Sequence, residues 1–298
     1  MPASPGSRTV VTRFAPSPTG RLHLGHAYSA LLGWRSARAA SGRFLLRIED
    51  IDPVRCRPEY TDAILQDLDW LGLDWEGTAR VQSAHLQEYR AALDRLQAMG
   101  LLYPCFCTRA DIAREIAAIG HAPHGPDGLL YPGTCRSLPL AERAARIAGG
   151  EPYALRLDMA AALRRAVGPL CFVELGDGGP RRIRCDPARF GDAVLARKDI
   201  PASYHLCVTH DDALQGVTLV TRAEDLRPAT DLHRLIQALM GWPTPCYSHH
   251  SLLLDADGRR LSKRDKAPTL LALREAGHSP EEVRAMALSR PTKRPTGR

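Results

Sequence analysis

The feature that most constrains the fold is the run from one short strand to the next at the start of the chain. Thr9 to Phe14 (TVVTRF) reads as a strand that meets APSPTG, whose prolines and glycine can continue neither a strand nor a helix. From Leu24, apolar residues recur as Ala27, Leu31 and Trp34, the spacing of one helical face, ending before Gly42. Arg43 to Glu49 then alternates Phe44, Leu46 and Ile48 against polar Arg47 and Glu49, a second strand. Strand, loop, helix, strand is a βαβ unit, and it predicts an α/β fold built on an open parallel sheet.

Two packing helices follow, one through Tyr60, Ile64, Leu68 and Leu71 before Gly72, one through Leu86, Tyr89, Leu93 and Leu96 before Gly100. From Leu101 to about Phe190 the sequence becomes rich in Cys, Pro, Gly and Arg, which reads as an insertion between two halves of one sheet. αβ-like patterning resumes at Asp192–Ala196 (DAVLA), with a buried strand at GVTLVT (216–221) and a helix at Asp231–Met240. The expected division is 1–100 for the first half of the fold, 101–190 for the insertion, 191–245 for the second half and 246–298 for a loop, a helical segment and a basic tail. In SPEEVRAMALSR, Ser279, Pro280 and Glu282 form a capping-box pattern.

The 298 residues have ordinary globular composition, 44% hydrophobic and 24% charged, which excludes a disordered, collagenous or coiled-coil chain. The net charge is +7, but the last nine residues carry four of those charges, so charge alone says little about partners. No stretch suits a membrane span or secretory signal, so a cytoplasmic protein is expected. Its eight cysteines should be reduced there.

In open parallel sheets, ligands bind beyond the carboxyl ends of strands, where loops lead into helix N-termini that attract phosphate. APSPTGRLHLGH occupies such a place. His23 and His26 are three apart at a helix start, so both imidazoles can face one side, and Gly25 lets a ligand approach the backbone. The plainer reading of that pair alone is capping and surface solvation. There is no Walker A lysine and no GxGxxG. Near the other end, RRLSKRDKA places Lys263 in a polar loop after Gly258, where an ammonium could reach phosphate oxygens.

Together HLGH and RLSKR resemble the paired signatures of the class I aminoacyl-tRNA synthetases. RFAPSPTGRLHLGH, RIEDIDPVR and YHLCVTHDDALQGVTLVTRAEDL narrow the resemblance, over nearly the whole chain, to the glutamyl branch. It implies a Rossmann-like doubly wound sheet with an inserted zinc-containing subdomain, and ATP with Mg2+ as substrate. It also implies that His23 and His26 stabilise the α-phosphate and that Lys263 holds the pyrophosphate. The L-glutamate pocket would comprise Arg13, Phe14, Ala15, Pro16, Ser17, Glu49, Tyr204 and Arg222. Arg13 and Arg222 would pair with carboxylate, Glu49 with the α-ammonium, and Tyr204 would supply a hydroxyl and a wall. Two positions depart from the family pattern, Ala223 where a glycine usually follows the arginine and Arg260 in place of a lysine.

Cys105, Cys107 and Cys135 with Tyr131 offer three sulfurs and a phenol, enough for one structural zinc if the loop folds back, while His121 and His124 compete for the fourth position. The resemblance favours Tyr131, which is typical of the glutamyl-Q branch. Cys56, Cys171, Cys185, Cys207 and Cys246 read as small apolar residues. After Arg264 too little chain remains for an anticodon-binding domain. The short form resembles the branch that activates glutamate without tRNA and esterifies queuosine at the wobble position of tRNA(Asp), and a monomer is expected. Arg181, Arg182 and Arg184 are candidate phosphate contacts. Two alternatives are a truncated enzyme charging a tRNA 3′ end and a non-enzymatic zinc and RNA-binding paralogue.

Overall fold

The computed structural model describes residues 9–119, 124–253, 268–289 and 292–293. Its first part is β1 (Val11–Phe14), α1 (Leu24–Ala39), β2 (Arg43–Ile48), α2 (Pro58–Trp70), β3 (Arg80–Val81) and α3 (Leu86–Ala98). Then come β4 (Leu102–Cys105), α4 (Arg109–Ile119), the hairpin β5 (His124–Gly125) and β6 (Gly128–Leu129), α5 (Leu140–Ala148), β7 (Ala154–Leu157) and α6 (Met159–Arg165). The hairpin β8 (Cys171–Gly176) and β9 (Gly179–Arg184) leads to β10 (Val194–Ala196), α7 (Tyr204–Leu214), β11 (Leu219–Ala223), α8 (Ala229–Met240) and β12 (Cys246–His250). The described remainder is β13 (Leu252–Leu253), α9 (Leu270–Glu275), α10 (Pro280–Ser289) and β14 (Thr292–Lys293).

β1, β2 and β3 pair in parallel, as the βαβ reading expects. β11 and β12 form a second parallel pair. The two halves meet at the start of β1, where Thr218 and Val11 exchange hydrogen bonds of 2.8 and 2.9 Å. α1 lies close over this junction. A methyl group on Gly33 would come within 2.9 Å of Thr221 Oγ1 and 3.2 Å of Phe44, so a side chain there would push the helix off the sheet.

Two stretches take places other than those read from sequence. DAVLA is not part of the main sheet: β10 pairs antiparallel with β7 in a small sheet ordered β10-β7-β4. Conversely β8, from the stretch read as insertion, pairs in parallel with β12 and carries β9 to the sheet edge. Periodicity marks a segment as strand but does not name its partner.

In β2 the alternation of polar with apolar residues does not divide exposed from buried: Arg47 is fully buried, as are both faces of the strand from Phe44 onward. A central parallel strand is covered on both sides, and the Arg47 guanidinium reaches the carboxylates of Asp211 and Asp212 on α7. One apolar cluster joins α1, β2 and α2 to Leu253, Leu270, Leu273 and Val283; a second joins α3 to α7 and α8. No helix among the described residues is long and apolar enough to cross a membrane.

Candidate active site

Beyond the carboxyl end of β1 the chain turns through APSPTG and enters α1 on a capping box made of two histidines. The Gly25 amide donates to His23 Nδ1 at 3.1 Å, and the His23 amide donates to His26 Nδ1 at 3.2 Å. The plain capping reading therefore holds, and it has a chemical consequence. An Nδ1 that accepts is unprotonated, so each neutral ring carries its proton on Nε2, the atom able to donate to a phosphoryl oxygen. The ring centroids are 3.9 Å apart, so the two donors share one face.

The second signature, including Arg260 and Lys263, lies outside the described residues, but the chain that follows it is placed. Thr269 forms an antiparallel bridge with His23, and the Leu270 amide donates to Leu22 O at 2.9 Å. Thr269 also caps α9, accepting from the Ala272 amide at 3.1 Å. One side of the late segment is thereby tied to the helix start that carries both histidines.

A cavity of about 720 Å3 has Ser17, Glu49 and Tyr204 in its wall. Glu49 follows the end of β2 and is buried, held at 3.3 Å by both Nε and Nη2 of Arg47. Burial raises its pKa, against the opposing pull of Arg47 and Arg13. Arg13 is also buried, but its Nε is on Asp212 at 3.0 Å and its Nη1 on Thr221 O at 3.3 Å. Arg13 is thus already ion-paired, a commitment the sequence did not disclose. Tyr204 opens α7, whose cap Ser203 accepts from the Leu206 amide. Burial raises the phenol's pKa, Arg222 and Arg13 oppose that shift and Glu49 adds to it.

Arg222, near the end of β11, is 5% exposed. Its Nη2 donates to Thr230 Oγ1 at 2.6 Å, its Nε to His249 Nε2 at 3.4 Å, and its Nη1 faces His233 Nδ1 at 3.3 Å. The alternative for this residue, an ion pair with Glu224 or Asp225, does not form; among the described residues no carboxylate lies within ion-pair distance of it. A buried guanidinium that meets only neutral acceptors is poised for an anion. Thr230, His233 and His249 were not singled out in the sequence. Asp231–Met240 read simply as an apolar helix, and no motif marks a histidine that accepts from arginine.

The cysteine cluster comes together as its spacing allowed. The sulfurs of Cys105, Cys107 and Cys135 all lie within 4.8 Å of one another, and Cys107 Sγ is 3.4 Å from both Cys135 Sγ and Tyr131 Oη. With zinc–sulfur bonds of about 2.3 Å, the edge of a tetrahedron is roughly 3.8 Å, so these four donors suit the ion. His124 is exposed on its hairpin and outside this group, and His121 lies outside the described residues. Arg156 stacks 4.0 Å over the Tyr131 ring, and both line the active-site cavity. Of the other cysteines, Cys185 and Cys207 are buried, whereas half-buried Cys56 lines the cavity.

Known proteins agree with this architecture. The family model "tRNA synthetases class I (E and Q), catalytic domain" matches residues 9–291. A Rhodobacter capsulatus protein named glutamyl-Q tRNA(Asp) synthetase is 47% identical over 93% of this chain and 99% of its own length. A glutamate–tRNA ligase of Aquifex aeolicus is 40% identical over 92% of the chain, which spans 55% of that protein. Among solved structures, a glutamate tRNA ligase from Elizabethkingia meningosepticum in complex with its amino acid superposes with a TM-score of 0.78 at 28% identity, over 95% of this chain and 61% of that one. The chain is therefore an enzyme of the class I tRNA synthetase family, of the glutamate and glutamine catalytic-domain type, and groups there with proteins named glutamyl-Q tRNA(Asp) synthetase.

Proposed function

We propose that the enzyme activates L-glutamate with ATP and Mg2+, without tRNA, and passes the glutamyl group to the queuosine of tRNA(Asp). The observation that carries the glutamate half is Arg222, buried among neutral acceptors with no carboxylate of the described chain beside it. The substrate side chain supplies the missing anion. Glu49 takes the α-ammonium, Tyr204 gives a hydroxyl, and the 13–17 loop, Arg13, Phe14, Ala15, Pro16 and Ser17, forms the wall. Arg13, anchored on Asp212, adds positive charge without being the main partner.

The substrate's α-carboxylate attacks the α-phosphorus of ATP, and pyrophosphate leaves with the electron pair of the broken P–O bond. Charge accumulates on phosphoryl oxygens, so positioned donors lower the barrier. His23 and His26, with protons on Nε2, supply two donors, and Lys263 supplies an ammonium to the leaving group. A hydroxyl oxygen of the acceptor then bonds to the glutamyl carbonyl carbon of the adenylate, AMP leaves with the electron pair of the broken C–O bond, and the hydroxyl proton passes to the departing phosphate. A cis-diol of queuosine can stand where a terminal ribose diol stands in other synthetases, so one transfer site serves. Zinc, held by Cys105, Cys107, Tyr131 and Cys135, supplies no chemistry here and fixes the insertion.

The reading is tested with ATP, labelled glutamate and tRNA(Asp) with or without queuosine. Label should appear only on the queuosine-containing tRNA, and glutamate-dependent ATP–pyrophosphate exchange should proceed without any tRNA. Label on the 3′ end would favour the truncated-enzyme reading, and no exchange the binding-only one.

A further inference from the structure

Because a guanidinium can only donate, every nitrogen that faces it must be an acceptor, and this settles the tautomers of the two histidines beside Arg222. His249 meets Arg222 through Nε2, which also faces Thr230 Oγ1 at 3.2 Å, so its proton sits on Nδ1. That Nδ1 is 2.8 Å from Glu174 Oε1. Glu174 is itself clasped by Arg227 at 2.9 and 3.1 Å. His233 meets Arg222 through the other nitrogen, Nδ1, so its proton sits on Nε2. Nε2 is 3.1 Å from His205 Nδ1, and His205 Nε2 is 2.9 Å from Asp127 Oδ2 at the tip of the β5–β6 hairpin. Two chains of donors thus run outward from one guanidinium, and each ends on a carboxylate held one or two imidazoles away. Burial and the nearby Arg222 both keep His233 and His249 neutral, His249 down to about 4.

We infer that His233 and His249 are positioning residues that hold Arg222 ready for an anionic side chain by giving it bare ring nitrogens while keeping the carboxylates of Asp127 and Glu174 out of direct contact with it. A carboxylate touching Arg222 would compete with the substrate. A carboxylate relayed through a neutral imidazole polarises the acceptor nitrogen, yet leaves the guanidinium's remaining N–H groups for the ligand. This rests on the reading that Arg222 binds the glutamate side chain, and it adds a link between that residue and the hairpin tip.

The opposite tautomers give an opposite pattern of rescue. Glutamine places its carbonyl oxygen near the Nε2 of a histidine, and asparagine near the Nδ1. In glutamate-dependent ATP–pyrophosphate exchange, His249→Gln and His233→Asn should keep the KM for glutamate within about threefold of the parent. His249→Asn and His233→Gln should raise it roughly tenfold, the scale of one charge-assisted hydrogen bond, with kcat and the KM for ATP nearly unchanged. In the unmodified enzyme, long-range 15N–1H spectra should show His249 protonated on Nδ1 and His233 on Nε2, a readout that needs no variant to fold. Equal effects of both substitutions at each position, or the reverse tautomers, would overturn the inference. Arg222→Gln separates the two claims. If it leaves the KM for glutamate unchanged, the underlying reading of Arg222 fails; if it raises that KM while the four histidine variants behave alike, only the relay fails.

Discussion

Arg47 shows how a residue's type can mislead when its surroundings are unknown. It is fully buried and bridges Glu49 to Asp212, with Nη1 at 2.9 Å from Asp212 Oδ1, and Asp212 also receives Arg13. Burial alone would raise the Asp212 pKa, but Arg13 and Arg47 hold it below the ordinary value. The carboxylate's stabilisation is present above the unfolded-state pKa and is lost as pH falls through the folded one. Asp212→Asn should lower stability at pH 7 by about 3–5 kcal/mol, the range for removing one partner of a buried ion pair; urea unfolding reads it, and the difference should shrink below pH 4. Asp67 on α2 is the opposite case. Burial pushes its pKa up to about 6, and its Oδ2 has no hydrogen-bond partner. Its carboxyl therefore favours the fold at low pH, and that contribution is lost as pH rises from the ordinary carboxylate range through about 6. Asp67→Asn should raise stability at pH 8 by roughly 1–3 kcal/mol and change little at pH 3; an equal effect at both would contradict the assignment.

At the scale of elements, the joint between Thr269 and His23 connects two distant parts of the sequence. Thr269→Ala removes the α9 cap and should cost about 1 kcal/mol in thermal unfolding, while the KM for ATP stays near the parent value because the bridge to His23 is made by the main chain. The cysteine cluster makes a second prediction. The purified protein should hold one zinc per chain, and Cys135→Ser should release it and expose 101–170 to protease, while β1, α1 and β2 stay protected; equal protection with and without metal would contradict a structural role. These two elements differ in how far the sequence disclosed them. The βαβ unit was legible because a helical period between two alternating strands admits few folds, and the Ser279–Glu282 capping box formed as spaced, with bonds of 2.9 and 3.3 Å. The sulfur cluster was legible from donor chemistry. The partners of β8 and β10 were not, because short strands with similar patterns compete for sheet edges, and only tertiary packing decides between them. Arg222 was singled out by resemblance alone, whereas its two imidazole partners come from α8 and β12, far from any motif.

Among the described residues, two half-sheets built on parallel pairs join where Val11 meets Thr218, with α1 and its histidine cap over the joint and Arg222 at the carboxyl end of β11. Leu253 and Leu270 share one apolar cluster with Leu22 and Leu24 of the first half. Nucleotide and amino acid are thereby expected on one side of the sheet, within reach of each other. The most direct measurement is a crystal structure of the enzyme with a non-hydrolysable glutamyl-adenylate analogue. The account predicts the side-chain carboxylate on Arg222, the ammonium on Glu49, and the phosphoryl oxygens within hydrogen-bond distance of Nε2 of His23 and His26. An analogue seated away from Arg222, or with its phosphoryl group turned away from both imidazoles, would contradict it.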